Sequence, residues 1–136
     1  MRDTYNKKWI LDHKEERKLY FQNKIKTDVN FRIIKILRSR TRSAMKNNQK
    51  CGHIIELIMC SIDELKTYLE NKFSPGMNWD NWGNGTNKWN IDHIIPCSFF
   101  DMSDPVEQHM CFRWQNLQPL WWEDNMKKND NITINL

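Results

Sequence analysis

The first fifty residues of this 136-residue chain contain neither proline nor glycine, and the whole chain has only four of each. These two residues are the strongest interrupters of regular structure. Their absence predicts that the N-terminal part is helical and has no long loops. Internal repeats and low-complexity segments are also absent, and the length favours one compact domain with a modest core.

Long hydrophobic runs are missing as well. The best stretch, from Ile54 to Cys60, is interrupted by Glu56 and is far shorter than the roughly 18 residues that a membrane helix needs. The first residues lead into a charged segment and contain no apolar signal core. We therefore expect a soluble, intracellular protein that is neither secreted nor bound to a membrane.

The spacing of the cysteines excludes the usual zinc-finger patterns. No two of them form a Cys-x-x-Cys pair, so we expect no structural zinc, and without a secretory signal we expect reduced, mostly buried thiols. The four residues are Cys51, Cys60, Cys97 and Cys111.

Acidic residues are absent from 31–50, although the net charge of the whole chain is only +4. Residues 1–50 hold 15 Lys and Arg against 5 Asp and Glu, a balance of +10. Residues 51–136 hold 6 against 12, a balance of −6. This asymmetry indicates a basic arm for a polyanion and a more acidic body that could hold a cation.

Two stripes run along a helix predicted from about Val29 to Lys46, with Thr27 and Asp28 at its start. One stripe is apolar and the other is basic. The basic stripe is either a solvated surface or a nucleic-acid contact, and the lack of acidic partners favours the contact. Lys128, near the end of a last short helix, is a further candidate, unless it serves only as a partner of the helix dipole. The apolar stripe is Phe31, Ile34, Leu37, Thr41 and Ala44, and the basic stripe is Arg32, Lys35, Arg38, Arg42 and Lys46.

The rest of the chain alternates between short helices and short strands. A capping pattern at 61–64 begins a helix, and an Asn-, Gly- and Trp-rich stretch at 78–87 reads as a loop. Residues 88–96 and 117–120 suit short strands, with helices predicted after Asp104 and over 123–128. This order predicts an α+β fold.

Four side chains in this last part could carry phosphodiester hydrolysis. His93 could act as the base that activates water, because the unperturbed pKa of histidine lies near 6.5. The Asp92 carboxylate and the Asn125 amide oxygen are hard ligands that favour magnesium, with manganese as the alternative. Asn116 has a donor and an acceptor with which to fix the loop after His93 and select the tautomer of its ring.

The adjacency of Asp92 and His93 in the sequence imposes one geometric condition on this hypothesis. Consecutive strand side chains point to opposite faces, so Asp92 and His93 cannot reach one atom from a regular strand. His93 should therefore lie at the end of its strand, where Pro96 soon stops the ladder.

Three runs of sequence resemble the HNH nuclease family, and more narrowly the small HNH or homing-type endonucleases of large viruses and phages. They are Ile91-Asp92-His93-Ile94-Ile95-Pro96, Asn116-Leu117-Gln118-Pro119-Leu120-Trp121 and Asn125-Met126-Lys127-Lys128. The resemblance covers residues 60–128. Asn125 stands where the last His of the name would lie, a variant that also occurs in the HNH domain of RNA-guided CRISPR nucleases.

The resemblance implies a ββα-metal core in 51–136 preceded by a basic helical DNA-binding arm in 1–50. It implies that His93 is the general base, Asn116 the structural asparagine, and Asp92 with Asn125 the ligands of one divalent ion. The expected partner is double-stranded DNA. Two alternatives stay open at this point: a DNA-binding protein that has lost turnover, and a nuclease that acts on RNA or single strands. The oligomeric state and the target sequence are not predicted.

Overall fold

A computed structural model describes residues 2–45, 53–129 and 131–132 of the chain. The predicted α+β class is confirmed: seven α-helices accompany one small antiparallel sheet in these residues. The elements are α1 (Arg2–Asp12), α2 (Lys14–Thr27), α3 (Val29–Ala44), α4 (Ile54–Ile58), α5 (Ile62–Asn71), β1 (Trp89–His93), α6 (Pro105–Phe112), β2 (Leu117–Trp121) and α7 (Trp122–Lys128), with short 3-10 turns at Cys97–Phe99 and Trp114–Asn116.

The helix starts follow the capping residues that the sequence offers. The Asp28 carboxylate accepts a hydrogen bond from the backbone N–H of Phe31 at 3.1 Å, which confirms the predicted start of α3. Ser61 caps α5 and Asp104 caps α6 in the same way. Each cap satisfies one N–H group that the first turn of a helix leaves without a partner.

The main core forms where α3 packs against α4 and α5. Ile33, Leu37 and Thr41 are the buried residues of α3, so the apolar stripe predicted from the sequence was only partly right. Phe31 instead stacks on Phe21 of α2, with ring centroids 6.0 Å apart. The stripe divides because α3 is covered on two sides, by α2 on one and by α4 and α5 on the other.

A cluster of aromatic rings supports β1 from the loop that precedes it. Trp82 and Trp89 stack with centroids 5.6 Å apart, and Trp79 meets both rings edge-on. The Trp89 indole N–H donates to the carbonyl of Asn78 at 2.6 Å. Ring packing and this partly buried hydrogen bond hold the Asn-, Gly- and Trp-rich loop against β1.

The two strands and the last helix follow one another in space as they do in sequence. In the antiparallel ladder, His93 lies opposite Leu117 and Trp89 opposite Trp121. Pro119 is tolerated within β2 because the sheet has only two strands, so β2 is an edge strand. Helix α7 begins directly after β2 and contacts both strands. The site residues therefore lie on a strand, strand and helix unit.

The division predicted at residue 50 falls in a part of the chain that the structure does not describe. On its N-terminal side, α3 shares the main core with residues beyond 53, whereas α2 buries none of its side chains. The division at residue 50 stays a prediction, and α3 on its N-terminal side packs into the main core. No helix in the described residues is long and apolar enough to cross a bilayer.

Replacing Leu37 with Ala should lower the free energy of unfolding by about 2–5 kcal/mol, because the change leaves a cavity beneath a fully buried side chain. The matched control Leu19→Ala changes an exposed leucine of α2 and should stay within about 0.5 kcal/mol of the wild type. Urea denaturation measures both values. Equal, small effects would show that α3 does not belong to the main core.

Candidate active site

Asp92 and His93 are the last two residues of β1, and both are buried. Their side chains meet different parts of the protein. The Asp92 carboxylate contacts β2 and α7, while the His93 ring contacts α6 and the turn after β1. The strand ends at His93, as the sequence argument required, and the two side chains point to different sides of the hairpin.

The Asp92 carboxylate is satisfied by two donors. Its Oδ2 atom accepts a hydrogen bond from the Lys128 ammonium at 2.7 Å and from the Gln118 amide at 3.0 Å. The same ammonium also donates to the carbonyl of His93. Because Lys128 is only 5% exposed, the pair is a buried salt bridge between β1 and α7.

The structure thus gives Lys128 a different position from the one expected for a DNA contact. Its ammonium lies inside the protein and already contacts Asp92, so it is not available to a phosphate. Asn125, one helical turn earlier on α7, is half-buried. Asn125 and Lys128 are three residues apart on α7 and are therefore neighbours on the helix surface.

Asn116 connects the turn after β1 to the end of α6. Its Oδ1 atom accepts from the N–H of Ile95 at 2.8 Å, and its Nδ2 atom donates to the carbonyls of Ile95 and Cys111 at 3.1 and 2.8 Å. Asn116 itself lies in a 3-10 turn just before β2. Its hydrogen bonds fix the backbone of the loop that follows His93, not the imidazole ring.

The His93 ring is enclosed by nonpolar and sulfur-containing neighbours. The ring of Phe112 meets it edge-on, with centroids 5.0 Å apart. The Nε2 atom of His93 is buried and has no hydrogen-bond partner among the described residues. A buried nitrogen without a hydrogen-bond partner lowers the stability of the folded state. This atom is therefore a candidate for contact with a ligand or for proton transfer.

Two cysteines complete this enclosure, and the sequence analysis assigned them no function. The Sγ atoms of Cys97 and Cys111 lie 3.0 Å apart, and with a ring nitrogen of His93 all three ligand atoms fall within 4.8 Å of one another. The hydrogen bond from Cys111 is the main reason that the pKa of Cys97 falls to about 5, while the pKa of Cys111 is raised by the same contact and by burial. The signal in the sequence is His93-x-x-x-Cys97, a spacing of four that a search for Cys-x-x-Cys pairs does not find.

Arg40 is another residue that sequence reasoning missed. It reaches from α3 to β1 and donates to the carbonyl of Ile91. Burial lowers the pKa of Arg40, and the nearby charges of Asp92 and Cys97 partly offset that effect. Helix α3 therefore has an arginine outside the basic stripe that faces inward and helps to hold β1.

The remaining basic residues of α3 divide into two groups. Lys35, Arg38 and Arg42 are exposed and line a groove between α2 and α3, with a cavity volume of about 690 Å³. Arg32 instead lies over the ring of Trp82 at 4.3 Å and donates to its carbonyl. Lys46, also expected in the stripe, lies outside the described residues.

The donor types at Asp92 and Asn125 fit a hard divalent ion such as Mg²⁺, since both offer oxygen. The Lys128 ammonium competes for the same carboxylate, because Asp92 is its buried partner. The second group, at His93 with Cys97 and Cys111, consists of softer ligands and does not suit magnesium. The Asp92 carboxylate and the His93 imidazole point to different sides of β1.

Comparison with known proteins gives relatives but no activity. The chain is similar to two uncharacterized proteins of Acanthamoeba polyphaga mimivirus. One is 37% identical over 130 residues, which cover 88% of this chain and 56% of the relative. The other is 31% identical over 129 residues, which cover 95% of this chain and 52% of the relative. The chain thus spans about half the length of the curated relatives it matches. No protein-family model matches it, and no solved structure does.

Replacing Lys128 with Met should lower the free energy of unfolding by about 3–5 kcal/mol, because the buried Asp92 carboxylate loses its charged partner. The control Lys127→Met changes the exposed neighbour and should shift stability by less than about 0.5 kcal/mol. In the double variant Asp92→Asn with Lys128→Met, part of the loss should return, since no uncompensated charge remains. A small effect of Lys128→Met in denaturant unfolding would rule out the buried pair.

Proposed function

We propose that this chain is a divalent-metal-dependent DNA endonuclease of the HNH type. The observation that carries the proposal is the strand, strand and helix unit in which Asp92 and His93 end β1, and α7, which carries Asn125, is joined to Asp92 through Lys128. The hydrogen bonds of Asn116 to the turn after β1 support it further. The reaction, hydrolysis of a phosphodiester bond, is inferred from the resemblance of the three sequence runs to HNH nucleases.

In this proposal each residue has a separate part in the hydrolysis. The imidazole of His93 accepts a proton from water, whose oxygen then attacks the phosphorus as the bond to the 3′ oxygen breaks. Asp92 and the amide oxygen of Asn125 would hold one divalent ion, which supplies charge stabilisation for the phosphate and the leaving oxygen. Asn116 keeps the backbone after His93 in one conformation.

The burial of His93 Nε2 sets a condition on this function. If Nε2 is the atom that accepts the proton, water reaches it only when the residues that bury it move apart, and cleavage then requires such an opening on DNA binding. The same burial, with Asp92 paired to Lys128, favours the second candidate, a DNA-binding protein of the same fold without turnover. The two candidates differ only in cleavage.

Cleavage is tested with supercoiled plasmid and purified protein in magnesium or in EDTA. The wild type should give relaxed or linear product only with the metal, and His93→Ala should lower the rate by roughly 100-fold or more, as expected for loss of a general base. The matched control His53→Ala changes an exposed histidine outside this site and should keep full activity.

Absence of cleavage with magnesium and with manganese, while DNA binding is retained, would establish the non-catalytic candidate. Cleavage of single-stranded DNA or of RNA in preference to the plasmid would establish the remaining alternative. Equal activity of His93→Ala and the wild type would remove His93 from the reaction.

We further propose that the exposed basic residues of the α2–α3 groove bind DNA phosphates. The support is the exposure of Lys35, Arg38 and Arg42 at helical spacing, with Arg17 of α2 on the other side of the groove. Arg32 and Lys128 are left out of this surface because both are engaged inside the protein.

The affinity for DNA should therefore fall steeply with salt. Arg38→Ala should reduce the slope of log K against log salt by about 0.9, the share of one neutralised phosphate on B-DNA. The control Lys66→Ala lies on α5, away from this groove, and should leave the slope unchanged. Fluorescence anisotropy at several salt concentrations measures the slope. Equal slopes for the two variants would show that DNA does not bind at this groove.

A further inference from the structure

The cluster of His93, Cys97 and Cys111 is the part of the protein that the proposed function leaves least explained. Its ligand atoms lie within 4.8 Å of one another, and it contains two thiols that DNA hydrolysis does not use. The cluster draws on three separate segments: the end of β1, the 3-10 turn at Cys97–Phe99, and the end of α6. Three segments that converge on one buried point form a built site.

We propose that His93, Cys97 and Cys111 form a binding site for a zinc ion, separate from the oxygen ligands of Asp92 and Asn125. Thiolate and imidazole are the ligands that zinc prefers, and a Cys₂His set is known to hold zinc with a fourth position left for water or substrate. The buried Nε2 atom of His93, which has no hydrogen-bond partner among the described residues, is one of the two ring nitrogens that could provide the imidazole ligand.

The distances require only a small adjustment. Two thiolates bound to one tetrahedral zinc at about 2.3 Å lie about 3.8 Å apart. The sulfur atoms of Cys97 and Cys111 are 3.0 Å apart, so a separation by about 0.8 Å would admit the ion.

The backbone around the site is already held in place. Asn116 donates to the carbonyl of Cys111 and forms two hydrogen bonds with Ile95, two residues before Cys97. It thus connects the two segments that carry the cysteines, as outer-shell residues do at metal sites. Charge also balances: the two thiols release their protons to solvent, and the two thiolates neutralise the dication beside a neutral imidazole.

Zinc at this site would take the imidazole that the proposed mechanism uses as its base. The ion would therefore inhibit cleavage, and this consequence rests on the proposed function, whereas zinc binding does not. A second, softer metal site would thus control a reaction that depends on a harder ion.

The test uses the reduced, metal-free chain with Cys51→Ser in every protein, because Cys51 lies outside the described residues. Competition with a chromogenic zinc chelator should give one zinc per chain. Loss of an outer-shell partner already costs roughly 10–100-fold in metal affinity, so Cys97→Ser and Cys111→Ser should each lose on the order of 100-fold or more. The matched control Cys60→Ser changes a free cysteine outside the cluster and should bind as the wild type does.

Cobalt provides a second readout that can be taken on the wild type itself and so does not depend on whether a variant folds. Co²⁺ bound to the wild type should show a thiolate charge-transfer band and tetrahedral d–d bands, and each single cysteine variant should lose about half of the charge-transfer intensity. An octahedral spectrum without that band would overturn the proposal. An equal loss of charge-transfer intensity in Cys60→Ser would also overturn it. A third contrary result would be that zinc does not slow the formation of a Cys97–Cys111 disulfide in air.

The two proposals fail separately. Zinc binding without any cleavage in magnesium would support this site and overturn the nuclease. If the wild type cleaves DNA, micromolar zinc should suppress cleavage, and Cys111→Ser should resist that suppression. Cleavage that zinc suppresses equally in both proteins would assign inhibition to the Asp92 side and overturn the regulatory role of the cluster.

Discussion

The buried ammonium of Lys128 is the interaction on which the arrangement of the site depends. It joins α7 to the end of β1 through the carboxylate of Asp92 and the carbonyl of His93. Two charges taken out of water are costly unless they are paired closely and the remaining groups are hydrogen-bonded, and Gln118 supplies that further bond to Asp92. The position of the last helix against the hairpin is therefore set by electrostatics as much as by packing.

Near that pair, basic and amide side chains from other elements form hydrogen bonds with the backbone of β1 and of the turn that follows it. Arg40 reaches the carbonyl of Ile91 from α3, and Asn116 binds the turn that follows His93. A two-stranded hairpin is marginally stable alone, so these contacts and the tryptophan cluster supply what a larger sheet would provide. As a result, the end of β1 has two chemically different sides: the Asp92 carboxylate faces β2 and α7, and the His93 imidazole faces α6 and the thiols of Cys97 and Cys111.

The basic residues show why a pattern of charge does not define a surface. Lys35, Arg38 and Arg42 are exposed, whereas Arg32 and Arg40, on the same helix, are turned towards the protein. The aliphatic part of an arginine side chain can be buried while its guanidinium reaches a backbone carbonyl. The spacing of the basic residues alone therefore could not distinguish the exposed residues from those that face the protein. Lys128 behaved in the same way, because only the fold reveals that an acid lies within its reach.

The sequence by itself determined the local features: the caps at Asp28, Ser61 and Asp104, the order of strand, strand and helix, and the end of β1 at His93. These depend on side chains that act within a few residues of their own backbone. Only the tertiary structure decided the partners of Asp92, the inward turn of Arg40 and the meeting of Cys97 with Cys111. Those contacts join residues 14 to 51 positions apart, and the packing that brings them together leaves no periodic trace in the sequence.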